Sequence, residues 1–281
     1  MFIVVEAGRS MRLFVGVLFS GENEYDECLN SIQDQTYQNF DLHAFEYLPK
    51  LEAHSRLYHS FLDQKDRYDL LIKIDADMVL TRPELFQQIV NKFDQNPGMD
   101  VLGIAILDFF SGVYINGLNS YRNTVSWELD PGNVNADVVV VDNEKYFFDQ
   151  SELAPAAFHC KNPSKLQAFH FGVHRGVKVF APKHSTSHWQ LLEKTWQNFL
   201  RTSDARIGLA VLGAELVYAG KFTKDDVDYT NPKVKKVLEK YKDMSSSEIK
   251  REILKLRALH WGFLPGDLRR RLIRRKFSRV N

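Results

Sequence analysis

Residues 70–80 have the sequence LLIKIDADMVL, and this stretch decides the fold. It begins as a run of apolar and β-branched residues, a pattern that predicts a buried strand. Asp75 and Asp77 follow, and because side chains of a strand alternate between its faces, we expect them to share one face. In an open α/β sheet the ligand crevice lies beyond the carboxyl ends of the strands. Two acids there can hold a hard divalent cation.

The pattern Asp-x-Asp is weak evidence by itself, because aspartate is also favoured in turns. A second copy, Asp226-Val227-Asp228, lies in a polar stretch with no apolar strand before it. We interpret that copy as a solvated loop. Lys73 is expected on the same face as Asp75 and Asp77, where it could pair with an acid, approach a phosphate or extend to solvent.

The composition is that of a globular protein of 281 residues, 44% hydrophobic and 26% charged. It suits one large domain, or one domain with a helical appendix. Cys28 and Cys160 lack metal-type spacing, which favours a reducing compartment without disulfides. No apolar run approaches the roughly 20 residues that span a bilayer, and the start lacks a signal-peptide pattern. We expect a cytoplasmic protein, either free or peripheral on the inner face of a membrane.

Strand and helix patterns alternate from residue 12 to residue 107, which is typical of an α/β domain with a mostly parallel sheet. Residues 1–10 precede a second methionine, Met11, and are either an upstream leader or an added edge strand. The later chain is predicted to be mainly helical. The predicted strands are 13–19, 40–46, 70–75, 100–107 and 135–142, and the main predicted helices are 51–64, 84–94, 187–201 and 204–219.

Three segments of this region resemble family-2 glycosyltransferases of GT-A fold. They are residues 20–24 (SGENE), 28–40 (CLNSIQDQTYQNF) and 74–77 (IDAD), and their order and spacing agree with the family over residues 12–107. Two departures stand out. Residues 46–49 (EYLP) replace the frequent Asp-Asp-Gly-Ser, and residues 53–58 (AHSRLY) replace a frequent Gly-x-x-x-Ala-Arg-Asn stretch.

The resemblance implies a metal-dependent enzyme that moves a sugar from a nucleotide-diphospho-sugar, with a UDP-sugar favoured. The acceptor would be a hydroxyl of a glycan or lipid-linked glycan, as in polysaccharide or lipopolysaccharide assembly. It also implies one GT-A-like domain over residues 11–200, with a nucleotide-sugar half at about 11–107 and an acceptor half at about 108–200. A helical extension would follow over residues 201–281.

The resemblance further assigns roles to single residues. Asp77 would coordinate Mn²⁺ or Mg²⁺, and Asp75 would contact the ribose or the metal. No phosphate-binding glycine motif occurs in the sequence, so the metal is the expected phosphate clamp. The remaining nucleotide contacts would come from Phe19 and Ser20 beside the nucleoside, Glu46 at the base or ribose, and Arg56 near the diphosphate or base.

An inverting transferase also needs a carboxylate that takes the proton of the acceptor hydroxyl. We favour Asp137 among the candidate acids Asp108, Asp137, Asp142, Glu144 and Glu152. Some enzymes of this fold add a late histidine to the metal. His159 is the first choice, followed by His170 and His174, which lie four residues apart on one helix face. Ordinary hydrogen-bonded histidines are the alternative.

The C-terminal tail is strongly basic, with seven Lys or Arg and one acid in residues 265–281. Residues 267–279 alternate arginines with apolar residues, which favours an anionic membrane surface as the partner. Nucleic acid is the less favoured partner, and a solvated terminal helix is the remaining alternative. The rival to an enzyme is a non-catalytic sugar-nucleotide-binding or scaffold protein.

Overall fold

The computed structural model describes residues 10–126, 146–149, 151–180, 185–229, 231–259 and 271–272. The described residues form eight strands, eight α-helices and one short 3-10 helix, Lys224–Asp226. The strands are β1 Leu13–Phe19, β2 Phe40–Glu46, β3 Leu70–Asp75, β4 Met78–Leu80, β5 Val101–Asp108, β6 Tyr114–Arg122, β7 Tyr146–Asp149 and β8 Ala157–His159. The helices are α1 Tyr25–Gln33, α2 Lys50–Leu62, α3 Leu85–Gln95, α4 Lys165–Lys178, α5 Ser185–Thr202, α6 Ala205–Tyr218, α7 Pro232–Leu238 and α8 Ser246–Leu259.

The strands form one sheet in the order β2-β1-β3-β6-β5-β8-β4, with β7 also paired to β5. Strands β1, β2 and β3 are mutually parallel, and β5, β7 and β8 run the same way. Only β6 and β4, of the described strands, run in the opposite direction. The prediction of an α/β fold with a mostly parallel sheet is therefore confirmed.

Strand β1 is buried along its whole length, because helices cover both faces of the sheet. Its odd-numbered residues, such as Val15 and Val17, join one apolar core with residues of α1 and α3. The alternate residues Phe14 and Leu18 join another core with α2. A strand buried on both sides reads as a continuous apolar run rather than an alternating one. This burial fixes where the carboxyl ends of β1 and β3 emerge.

A third apolar core holds α4, α5, α6 and α8 together. Helix α6 is apolar on all sides and lies against α4 at very short range. A Cβ at Gly172 of α4 would come within 1.7 Å of the carbonyl oxygen of Ala210. The contact crosses residue 200, where the sequence predicts the start of the helical extension; that boundary stays a prediction.

The interpretation of Asp226-Val227-Asp228 as a solvated loop is wrong. Asp226 is buried and accepts hydrogen bonds from the backbone and hydroxyl of Thr223 and from Lys233. Asp228 accepts the backbone N–H of Lys50. The carboxylates of this segment accept hydrogen bonds from partly buried donors of the chain and are not simply surrounded by water.

Several predictions fall outside the described residues. They concern residues 1–9, the predicted strand 135–142, and the basic tail apart from residues 271–272. Within the residues that the structure does describe, none of the helices has the length and apolar character needed to cross a membrane.

Candidate metal and nucleotide site

Asp75 and Asp77 lie at the carboxyl end of β3, as predicted, and contact different partners. Asp75 Oδ1 lies 2.7 Å from Nζ of Lys73, whose side chain is only 3% exposed. Lys73 therefore pairs with an acid inside the protein and does not extend to solvent. Asp77 is the last residue before β4 and contacts residues that arrive from β8.

His159 reaches Asp77 because β4 and β8 pair in antiparallel register, with Met78 opposite His159. Nε2 of His159 lies 3.3 Å from Oδ2 of Asp77. On the other side of the ring, Nδ1 lies 2.7 Å from Oδ1 of the fully buried Asp108. A carboxylate can only accept, so Nδ1 donates this hydrogen bond, and Nε2 is the atom left to face Asp77.

Cys160 also contacts Asp77, although the spacing of the cysteines in the sequence predicts no metal ligand there. Its backbone N–H donates to the carbonyl oxygen of Asp77 at 2.8 Å, and its Sγ lies 3.3 Å from Oδ2 of Asp77. Its φ of +51° is a left-handed conformation that is uncommon for a residue with a side chain. The signal in the sequence was its place directly after His159.

The charges in this cluster stabilise each other. Burial disfavours a charged imidazole, but its neighbours, among them the carboxylates of Asp77 and Asp108, outweigh burial and raise the pKa of His159 well above its usual value. Burial likewise opposes ionisation of Asp77, yet His159 and the Cys160 thiol bring its pKa below the usual value. These pKa directions favour a protonated His159 between the carboxylates of Asp77 and Asp108 in the metal-free protein. The negative charge of Asp77 at this position also favours a bound metal cation.

One atom of the cluster has no partner among the described residues. Oδ1 of Asp77 is buried and makes no hydrogen bond. A buried carboxylate oxygen in that state costs free energy unless something pairs with it. Asp77, His159 and Cys160 each offer one ligand atom, and these atoms lie within 4.8 Å of one another. The donor set fits a divalent metal ion.

Two acids on the loop after β1 border the cluster. Burial, followed by the charge of Asp77, raises the pKa of Glu22 from 4.5 to about 7. Glu22 also accepts the backbone N–H of Ser20 at 2.6 Å. Glu24 accepts from the backbone of Asn162 and the side chain of Gln167, and so ties this loop to the start of α4.

Three aromatic residues, Phe19, Tyr25 and Tyr47, lie together where β1 and β2 end, and we call them the aromatic patch. Phe19 and Tyr25 stack with ring centroids 3.9 Å apart, and Tyr47 meets Phe19 edge-on at 4.9 Å. Tyr25 donates its hydroxyl proton to Glu46. Tyr47 is 67% exposed and offers a flat apolar face to a ligand.

The structure does not bring every predicted site residue together. Arg56 lies on the exposed side of α2, where it pairs with Glu52, and contacts neither Asp75 nor Asp77. His170 donates to the carbonyl of Val227, and His174 lies 3.1 Å from Nζ of Lys50. Burial lowers the pKa of both histidines, so both are neutral.

The candidate catalytic acids do not lie together either. Asp137, Asp142 and Glu144 lie outside the described residues. Glu152 forms an exposed ion pair with Lys92. Asp108 is buried and engaged by His159 and by both the backbone and hydroxyl of Ser111. Asp108 thus positions His159, and the role of Asp137 as the base stays a prediction.

No protein-family model matches the sequence, and no curated protein matches it either. Among solved structures, a mannosyltransferase from Pyrobaculum calidifontis, PcManGT with GDP-Man and Mn²⁺, is 11% identical. That likeness covers 76% of this chain and 75% of that one, with a TM-score of 0.39. TarS of S. aureus with UDP-GlcNAc is 13% identical over 82% of this chain and 92% of that one, with a TM-score of 0.33.

The first of the matching structures, a protein from STIV, is 16% identical with a TM-score of 0.31. The match covers 40% of this chain and 65% of the STIV protein, so this chain spans slightly less than two thirds of that protein's length. All of these likenesses concern the fold, and with TM-scores below 0.5 they say nothing about the chemistry of this chain.

Proposed function

We propose that this protein is a glycosyltransferase that takes a sugar from a nucleotide-diphospho-sugar and holds a divalent metal ion at Asp77 and His159. The observation that carries the proposal is the carboxylate of Asp77: its buried Oδ1 has no partner among the described residues, and its Oδ2 lies 3.3 Å from Nε2 of a histidine that Asp108 orients. A histidine that donates its other N–H to a carboxylate is the usual arrangement of a metal-binding imidazole.

The metal ion, Mn²⁺ or Mg²⁺ by the resemblance, would neutralise the charge that develops on the diphosphate leaving group. Asp75 lies beside this place, and its side chain is 40% exposed while Lys73 holds one of its oxygens. It is thus both fixed and accessible, as a contact to the ribose or to the water shell of the metal requires.

The nucleoside would lie on the aromatic patch. Tyr47 offers an exposed ring face for a base, and the buried Phe19 packs against Tyr47 and supports it. Glu46 offers carboxylate oxygens for a base edge or ribose hydroxyl. Ser20 directs its backbone N–H to Glu22 and so shapes the turn beneath the donor. Glu46 and Asp75 end the two strands that flank β1, at the same edge of the sheet, so the proposed nucleoside and diphosphate places lie on either side of the end of β1.

An acceptor place is supported by a pocket of about 330 Å³ beside His159. Phe109 and Phe158 line it, and such rings stack on sugar faces. In the reaction, the acceptor oxygen forms a bond to the anomeric carbon as the bond to the diphosphate breaks. The hydroxyl proton passes to a base, for which Asp137 remains the proposed residue. The proposed acceptor is a glycan or lipid-linked glycan, at the inner face of a membrane.

The first test is a thermal-shift panel of UDP, GDP, CDP and dTDP, each with and without Mn²⁺. A ligand that binds only the folded state raises the midpoint by mass action. We expect one nucleotide to do so only with metal, and a UDP-sugar to be consumed on addition of a glycan acceptor. Asp77→Asn should abolish the metal-dependent shift, whereas Asp34→Asn, an exposed acid at the end of α1, should not.

Two results would decide against the enzyme. If no nucleotide shifts the midpoint with any metal, the nucleotide-sugar site is absent. If a nucleotide-sugar binds tightly but is neither hydrolysed nor transferred to any acceptor, the protein is a sugar-nucleotide-binding or scaffold protein instead.

A further inference from the structure

Three donor atoms of the cluster form a nearly equilateral triangle. Oδ2 of Asp77 lies 3.3 Å from Nε2 of His159 and 3.3 Å from Sγ of Cys160. The third edge, from Nε2 to Sγ, is 3.6 Å. The set contains one oxygen, one nitrogen and one sulfur, and each atom faces the other two.

The edge lengths distinguish between coordination geometries. A tetrahedral ion with bonds of about 2.0–2.3 Å to O, N and S has ligand–ligand edges of about 3.3–3.6 Å. An octahedral Mg²⁺ with bonds of about 2.0–2.1 Å has edges of about 2.8–3.0 Å. All three edges lie in the tetrahedral range, and the longest one, from Nε2 to Sγ, includes the sulfur, whose bond to zinc is the longest.

We propose that Cys160 binds the metal as a thiolate, together with Asp77 and His159, and that the site prefers zinc or cobalt to magnesium. This inference rests on the metal site of the proposed function and goes beyond it, because it adds a ligand and changes the expected metal. Three protein ligands leave a fourth position open, as in catalytic zinc sites. Thiolate and imidazole favour transition metals, whereas magnesium prefers oxygen ligands.

Metal binding would release protons from the ligands. In the metal-free protein the thiol of Cys160 donates to Asp77, and Nε2 of His159 faces the same oxygen. On binding, the thiol proton and any proton on Nε2 pass to solvent, and Sγ and Nε2 each form a bond to the ion. Metals bind such ligands in their deprotonated forms.

The chain holds these ligands in place before any ion arrives. The backbone hydrogen bond from Cys160 to Asp77 joins the two segments, and Asp108 fixes the ring of His159. Cys160 keeps its left-handed φ of +51° at this junction. A residue held in a sparsely populated conformation is typical of a functional site where the surroundings over-determine the geometry.

The test is a cobalt titration of the full-length, chelator-treated protein, followed by absorption spectroscopy without any nucleotide. We expect a near-ultraviolet thiolate-to-cobalt charge-transfer band and the strong visible bands of a tetrahedral ion. Cys160→Ser should remove the charge-transfer band and lower zinc affinity about 100-fold or more, because loss of an outer-sphere partner alone costs about 10–100-fold. Magnesium affinity should stay within a few-fold.

Cys28→Ala is the matched control, since Cys28 is the other buried free thiol. It should keep the charge-transfer band. A band that survives Cys160→Ser, or a wild-type cobalt spectrum without one, overturns the proposal. If Cys160→Ser does not fold, X-ray absorption of the zinc-loaded wild type decides: one sulfur at about 2.3 Å supports the ligand, and none refutes it.

The same data separate this inference from the proposed function. A thiolate-bound cobalt ion together with no nucleotide binding would keep Cys160 as a ligand and reject the transferase. Metal-dependent nucleotide binding without the charge-transfer band would support the transferase and reject Cys160 as a ligand.

Discussion

Asp108 accepts a hydrogen bond from Nδ1 of His159 at 2.7 Å, between residues 51 positions apart in the chain. Asp108 is fully buried, and its second oxygen accepts from the backbone and hydroxyl of Ser111. Burial raises the pKa of Asp108, but the hydrogen bond and charge of His159 and the two hydrogen bonds from Ser111 together outweigh it and keep this pKa below its usual value. An ionised carboxylate therefore fixes which nitrogen of His159 faces Asp77.

Asp108→Asn should weaken metal binding about 10–100-fold, because the imidazole loses the charge that orients it and raises its basicity. Titration calorimetry with Mn²⁺ and Zn²⁺ measures this. Ser111→Ala is the control: it removes one hydrogen bond from the same carboxylate, and should cost about 1 kcal/mol of stability while metal affinity stays within a few-fold. Unchanged affinity in Asp108→Asn would show that His159 does not bind metal through Nε2.

Glu22→Gln should flatten the pH dependence of stability in the metal-free protein. The folded pKa of Glu22 is about 7 against an ordinary 4.5, so between these values the folded state binds more protons than the unfolded state. Stability then falls as pH rises through this window. Glutamine carries no charge, so the free energy of unfolding of Glu22→Gln should exceed that of the wild type by about 2–3 kcal/mol above pH 7.

Urea melts with a chelator from pH 4.5 to pH 8 measure the effect of Glu22→Gln. Glu84→Gln, which changes an exposed acid, should leave the slope as it is in the wild type. A wild-type slope retained in Glu22→Gln would mean that another group titrates.

Tyr47→Gly should separate stability from nucleotide binding. Tyr47 has a φ of +55°, a conformation that costs a residue with a side chain about 1 kcal/mol and glycine almost nothing. The melting temperature should therefore stay equal or rise. Nucleotide affinity should fall about fivefold or more, because one ring of the aromatic patch is lost. Tyr114→Ala removes another exposed tyrosine, on β6, and should leave nucleotide affinity unchanged; equal losses in both variants would remove the patch from the nucleotide site.

Gly172→Ala and Gly208→Ala should differ sharply in stability. The new Cβ would lie 1.7 Å from a backbone oxygen in the first case, and 2.7 Å from the side chain of Phe199 in the second. A side chain can move, and alanine also favours the helix by about 1 kcal/mol, so Gly208→Ala should cost little. Gly172→Ala must separate α4 from α6 and should cost about 3 kcal/mol or more. Denaturant midpoints would show whether this order is reversed.

Periodicity alone predicted much of the fold. The strands that contain Val15 and Ile72 are continuous apolar runs, and local pattern is enough to assign such elements. The prediction that the acids after β3 lie at a ligand site used the same local logic. His159 was predicted from a resemblance. Its contact with Asp77 depends on the pairing of β4 with β8, and strands of three residues are too short for a sequence pattern to predict this pairing.

Other features depended on contacts between distant segments. Asp226 looked solvated because its neighbours are polar, yet Thr223 and Lys233 surround its carboxylate. Arg56 lies on the side of α2 that faces away from the sheet, because Leu57 and Phe61 take the buried side. Cys160 belongs to no sequence motif, since its partner Asp77 lies 83 residues earlier in the chain.

The register of β4 and β8 makes the site sensitive to chain length as well as to residue identity. Successive residues of a strand face opposite sides, so a slip by one position would turn His159 away and place Phe158 or Cys160 opposite Met78. Many substitutions in the short segment before β8 can leave this pairing intact. A single residue inserted or deleted within β8 itself would shift the register and turn His159 away from Asp77 without replacing any ligand.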